Sequence, residues 1–90
     1  KRVKFIKKRS DDAVDDLPDD MDFCYIDGNH SYEFVRNDIK NYFPKIRPGG
    51  VLGGHDFFGS YAGVCIAVVE FAKENNLKLL SQYADWWVVK

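Results

Sequence analysis

Met21-Asp22-Phe23-Cys24-Tyr25-Ile26-Asp27-Gly28-Asn29-His30 is the stretch on which the fold turns. Its first six residues are nearly continuously apolar, the pattern of a strand covered on both faces and so of a parallel sheet. The next four, an acid, a glycine, an amide and a histidine, predict a loop. From Ser31 to Phe43 the period changes. Val35, Ile39, Tyr42 and Ile46 then recur at helical spacing and lay one apolar stripe along a helix that Pro44 stops.

Working outward, Val3–Ile6 is a short β-prone run upstream. Ser10 reads as a helix N-cap, with Asp11 and Asp12 favourably placed in the first turn and Pro18 ending the helix. Downstream, Arg47-Pro48-Gly49-Gly50 is a turn signal that feeds a third strand, Val51–Gly54. An aromatic and glycine-rich loop follows, and then a helix over Gly63–Asn76 with Val64, Ala67, Val68, Phe71 and Ala72 on its buried side. Leu77–Tyr83 and Trp86–Lys90 are strands joined by so short a link that they must form an antiparallel hairpin. The order β-α-β-α-β-α-β-β predicts an α/β fold with a Rossmann-like sheet, parallel through right-handed crossovers and closed by one antiparallel strand.

Bulk properties narrow the class. Ninety residues allow one small domain, yet 46% are hydrophobic and 16% aromatic. That is rich for a free-standing unit, and the expectation is that some apolar surface serves a partner or a further part of the chain. The net charge of -1 gives no argument for nucleic acid or an anionic membrane. The basic cluster at Lys1, Arg2, Lys4, Lys7, Lys8 and Arg9 precedes an acidic run; it could form a small phosphate-binding patch, but alternating charge on a solvated strand and helix is the commoner cause of such a pattern. Cys24 and Cys65 sit among apolar residues without a CxxC neighbour, which suggests buried free thiols in the reducing cytoplasm. No signal peptide opens the chain, and no apolar run approaches the roughly 20 residues that span a bilayer.

The chemistry should lie beyond the carboxyl ends of the strands, where open α/β sheets bind ligands. Asp27 and His30 follow the Met21–Ile26 strand, and His55 and Asp56 follow Val51–Gly54. One crossover helix joins those strands, so they should be neighbours about 5 Å apart. Two carboxylates and an imidazole there can hold a divalent ion, and a histidine beside it is a natural general base near neutral pH. Each residue also has a plainer reading. Asp27 can bond its own turn, His30 can cap the next helix, His55 can be a hydrogen-bonded core histidine and Asp56 a loop cap. The joint pattern of two pairs at two adjacent strand ends favours function. Phe57, Phe58 and Tyr61 can cover a substrate pocket or pack under their loop. Gly53-Gly54 admits close approach of a ligand or backbone, and neither glycine pair has phosphate-loop spacing.

These residues resemble a known family. The run Tyr25-Ile26-Asp27-Gly28-Asn29-His30-Ser31-Tyr32 is similar to a YIDGxHxY signature of class I S-adenosylmethionine-dependent methyltransferases, a group that includes small-molecule and sugar O-methyltransferases. Asp38, the segment from Pro44 through Pro48-Gly49-Gly50 to His55-Asp56, the helix at Gly63-Val64 and the strand at Asp85-Trp86-Trp87 fit the same family. The resemblance implies S-adenosylmethionine as cofactor, a small-molecule substrate, and Asp27, His55 and Asp56 as ligands of Mg²⁺ or Mn²⁺, with His55 standing where relatives often carry an acid. It implies His30 as the general base for a substrate hydroxyl.

The family's glycine-rich cofactor loop and the acid after its second strand have no counterpart here. Ser10 and Asp11 are the residues left to approach the adenine. The expectation is therefore the C-terminal half of a methyltransferase domain, supplying strands 3 to 7 of the family order 3-2-1-4-5-7-6. The inner edge of Met21–Ile26 would then be bare unless Val3–Ile6 pairs with it, a second copy covers it in a homo-oligomer, or further sequence does. Two rival readings stand: a metal-dependent hydrolase on the same edge, and a non-catalytic binding or assembly module.

Overall fold

The computed structural model describes residues 3–6, 17, 19–26, 31–55, 57 and 61–90. Among them five strands form one sheet: β1 (Val3–Ile6), β2 (Met21–Ile26), β3 (Ile46–Gly54), β4 (Leu79–Gln82) and β5 (Asp85–Val89), in the order β1-β2-β3-β5-β4. Helix α1 (Tyr32–Tyr42) runs into a 3₁₀ turn (Phe43–Lys45), and α2 (Ala62–Glu74) follows β3. Pairs β1–β2 and β2–β3 are parallel, whereas β5 runs antiparallel to both β3 and β4. The expected α/β order holds for every described element; the helix expected from Ser10 lies outside the described residues.

Each element has a local cause. Ser31 caps α1, its Oγ accepting from Phe34 N at 3.4 Å, with Glu33 in the first turn and Lys40 in the last to suit the helix dipole. The cap position therefore belongs to Ser31. Val35, Ile39 and Tyr42 are buried as the stripe requires, and so are all five residues expected on the inner side of α2. Both helices pack on one face of the sheet, where Cys24, Leu52 and Val88 form a fully buried cross-strand row beneath them. Phe43 meets Phe71 edge-on at 4.9 Å between the helices. At the helix surface Arg36 bonds Glu74 at 2.7 Å, and Tyr32 donates to Glu70, which raises the phenol's pKa.

Three boundaries differ from the sequence reading. The strand expected at Val51 begins at Ile46, so Arg47-Pro48-Gly49-Gly50 lies within β3. Its ladder is interrupted: Met21 pairs with Ile46 and Phe23 with Val51, so four residues of β3 oppose Asp22 alone. Gly49 takes φ +85°, open to glycine at little steric cost. Distant groups secure the excursion. Gly49 N donates to Lys90 O at 2.8 Å, Lys90 N donates to Gly50 O at 2.9 Å, and Arg47 pairs with Asp22. The Lys90 ammonium donates to the carbonyls of Phe43 and Ile46. The helix expected over Gly63–Asn76 runs from Ala62 to Glu74, and the hairpin turns at Tyr83-Ala84.

Strand β1 pairs directly with β2, Val3 opposite Phe23 and Ile6 opposite Ile26. Of the three ways to cover that edge, the chain uses its own first strand. The opposite sheet face has no helix over it among the described residues. There Phe23, Tyr25, Val51 and Trp87 are half-buried rather than buried, so β2 is fully covered on one face only.

Trp86 settles why Gly54 lacks a side chain. The two residues are cross-strand partners, and the indole of Trp86, 2% exposed, lies across the glycine. A Cβ on Gly54 would stand 2.6 Å from Trp86 Nε1 and 2.9 Å from Ile26 O. The close approach inferred for Gly53-Gly54 is thus made by the protein's own tryptophan strand. Gly54→Ala should destabilise the fold by about 1–3 kcal/mol, the usual cost of overpacking, read as a lower urea midpoint with an unchanged slope. Of the two free thiols, Cys24 is buried and Cys65 half-buried. Burial, then the charge of Asp38, pushes the Cys24 thiol up to about 12. At pH 8 iodoacetamide should therefore alkylate Cys65 and leave Cys24 intact until denaturant is added, as peptide mass mapping would record.

Candidate functional site

Three strand termini meet at one edge. Strands β2 and β3 finish side by side, Ile26 opposite Gly54, and His55 N donates to Ile26 O at 3.2 Å. Strand β5 runs the other way, so its first residue, Asp85, starts where β3 ends. His55 is where the strand-end rule places it, immediately beyond β3.

The His55 ring is held by a carboxylate. Its Nδ1 lies 2.9 Å from Asp85 Oδ1, and the Tyr25 hydroxyl donates to that same oxygen at 2.6 Å. The side chains of His55 and Asp85 are 43% and 49% exposed, so His55 is not a core histidine. The hydrogen bond from Tyr25, then that from His55, holds the Asp85 carboxyl below its usual range. Beside this cluster the uncovered sheet face forms an open concavity of about 370 Å³, lined by Phe23, Tyr25, Val51, Gly53, Asp85, Trp86 and Trp87.

Asp27, His30 and Asp56 lie outside the described residues, as do Ser10, Asp11 and Phe58. Among the described residues no three His, Cys, Asp or Glu side chains are grouped to hold a metal ion. Phe57 and Tyr61 pack against the core cluster, and Phe57 N donates to Ala84 O at 2.9 Å. Of the two readings of these aromatics, packing under the loop describes both. The sequence reading missed Asp85, taken as part of the hairpin link, and Tyr25, taken as a strand residue only. A usable signal existed for Asp85: the first residue of an antiparallel strand lies beside the last of its partner. Among the described residues no helix is long and apolar enough to cross a membrane.

Residues 1–57 match the family model described as a methyltransferase domain. The chain belongs to this family. Its membership agrees with the class of S-adenosylmethionine-dependent enzymes that the motifs resemble. An uncharacterized protein of Sinorhizobium fredii is 35% identical over 54 residues, covering 59% of this chain and 6% of its own length. One from Acanthamoeba polyphaga mimivirus is 37% identical over 60 residues, covering 61% and 27%. Solved structures share the fold, two of them methyltransferases. The MycE methyltransferase from the mycinamycin biosynthetic pathway, in complex with Mg, SAH and mycinamycin VI, superposes with a TM-score of 0.67 at 18% identity over 88% of this chain and 27% of its own. The O-methyltransferase NovP does so with a TM-score of 0.59 at 17% identity, over 86% and 34%. The ninety residues thus span about a third or less of these relatives.

If β2 and β3 deliver their loops to one crevice, a crystal structure should show the Asp27 and Asp56 carboxylates within about 7 Å of each other, as adjacent strands about 5 Å apart require. Carboxylates on opposite sides of the edge would remove the metal site.

Proposed function

We propose that this chain is the C-terminal half of an S-adenosylmethionine-dependent O-methyltransferase that acts on a small-molecule or sugar hydroxyl with the help of Mg²⁺ or Mn²⁺. The observation that carries the reading is a carboxylate-bound histidine at the joint end of β2 and β3, in a chain whose family is that of methyltransferase domains. Among the solved structures that share the fold, one is the O-methyltransferase NovP and another is the MycE methyltransferase with Mg and SAH bound.

The half-domain reading has physical support. A sheet of this kind wants helices on both faces. Here one face carries both described helices, while the other leaves Phe23, Tyr25, Val51 and Trp87 half-open. The layer that covers that face would belong to the cofactor-binding half in a longer polypeptide, as the greater length of the relatives suggests. With free cysteines on the chain, the cytoplasm is the compartment proposed.

His55 suits a divalent site. Its imidazole is already oriented by a carboxylate, the arrangement common behind metal-bound histidines. With Asp27 and Asp56 it would hold the ion; Ser10 and Asp11 would approach the adenine. A divalent ion bound there would supply positive charge that lowers the pKa of the acceptor hydroxyl. His30 would take the hydroxyl proton. S-adenosylmethionine, when bound, would supply the electrophilic methyl group for the deprotonated oxygen, and the role of this chain's residues would be to orient that oxygen and take its proton.

Calorimetry of the longest natural polypeptide containing these residues tests the reading, with S-adenosylmethionine titrated in the presence and absence of Mn²⁺. Binding of the cofactor is expected; its absence from a folded protein, or Mn²⁺-dependent hydrolysis instead, would favour the hydrolase or the non-catalytic module. In that polypeptide His30→Ala should lower turnover by about 10²–10⁴ while cofactor affinity stays nearly unchanged. Full activity from pH 6 to 8 would remove His30 as the base.

A further inference from the structure

Asp85 has no task in the reading above, yet its carboxylate is bonded to the His55 ring. Its position is set by the ladder. Gly54 pairs with Trp86, so Asp85 stands one residue further, level with the end of β3. Tyr25 lies on β2, one strand beyond β3, and reaches across it to the same carboxylate oxygen. Its register partner on β3 is Gly53, which carries no side chain. Three strands therefore each contribute one group to a single short chain of hydrogen bonds, phenol to carboxylate to imidazole.

Such a chain dictates where the imidazole proton sits. An ionised carboxylate only accepts hydrogen bonds, so a neutral His55 must donate from Nδ1 and leave the lone pair on Nε2. The Tyr25 phenol adds a second donor to Asp85 Oδ1, which favours the ionised acid and restrains its rotation. Stability is a poor account of the arrangement. Both members of the pair are over two-fifths exposed, and exposed pairs contribute little to folding. A carboxylate that receives one ring nitrogen of a histidine, so that the other is turned to chemistry, is a recurring device in metal sites and in proton transfer.

We propose that Asp85, anchored by the Tyr25 hydroxyl, is a positioning residue that locks His55 in the Nδ1–H tautomer and presents the Nε2 lone pair to a divalent cation at the strand edge. The metal part rests on the proposed function; the tautomer part does not. Tyr25 acts through Asp85, and Asp85 through His55.

The test separates the two parts. Long-range ¹H–¹⁵N correlation spectra, at pH 8, of the labelled longest natural polypeptide containing these residues identify the protonated nitrogen of each histidine, and loss of one set of signals in His55→Gln assigns His55. The expected result is a pyrrole-type Nδ1 and a pyridine-type Nε2 for His55. In Asp85→Ala it should revert toward the Nε2–H form that free imidazole side chains prefer in water. Tyr25→Phe, which keeps the ring and removes one hydrogen bond, should give a partial shift with a native-like amide spectrum. Mn²⁺ titration of the same samples should show affinity reduced about 10–100-fold in Asp85→Ala, the range for losing an outer-sphere partner. A Nε2–H tautomer in the unaltered chain, or a tautomer unmoved in a folded Asp85→Ala, overturns the proposal. The expected tautomer pattern without Mn²⁺ binding would uphold Asp85 as the residue that orients His55, and the metal reading would be what fails.

Discussion

Strand β3 packs closely against both neighbours at Gly54, which has no side chain. The indole of Trp86 fills the space a Cβ would occupy, and Ile26 O closes in from the other neighbour. That contact draws β5 against β3 in one register and β2 against it in another, so Ile26, Gly54 and Trp86 form one row. Everything at the reactive edge is counted from this row. His55 is one residue past it on β3, and Asp85 is one residue before it on β5. Since β5 runs antiparallel, one residue past and one residue before are the same level of the sheet. A slip of one residue in either ladder would send the side chains of that strand to the opposite face and separate the histidine from its carboxylate.

A second constraint is the direction of the crossovers. The chain goes from β1 to β2 to β3 in one sense across the sheet, and right-handed connections taken in one sense return to the same face. Helix α2, which leads from β3 past β5 to β4, continues that sense. Both described helices accordingly share one side, with Phe43 and Phe71 locked between them. The same geometry leaves Phe23, Tyr25, Val51 and Trp87 on a face without helices among the described residues. Three of the chain's aromatic residues, Phe23, Tyr25 and Trp87, are therefore only half-buried.

Much of the fold was legible in the sequence because it is written in local periods. Strand β2 begins and ends where the apolar run does, and the spacing of Val35, Ile39 and Tyr42 marks the inner side of α1 before any partner is known. The motif pair after β2 and β3 was enough to point to a methyltransferase domain. The start of β3 was not legible. Arg47-Pro48-Gly49-Gly50 has the composition of a turn, and it lies within the strand because Lys90, forty residues away, exchanges backbone hydrogen bonds with Gly49 and Gly50. No local rule contains that partner.

Sequence by itself determined the element types, the helix stripes, the buried thiol of Cys24 and the placement of His55 beyond a strand end, since all of these follow from period, composition and chain direction. Only the tertiary structure decided that Val3–Ile6 pairs directly with β2, that Trp86 is the reason for Gly54, and that Asp85 and Tyr25 take hold of His55. The reason is sequence distance. Asp85 is thirty residues from His55 and sixty from Tyr25; the hairpin rule can bring an acid beside the end of β3, but the rule does not say that its carboxylate meets the imidazole and the phenol. That contact exists only once two ladders of backbone hydrogen bonds have set three strands in register.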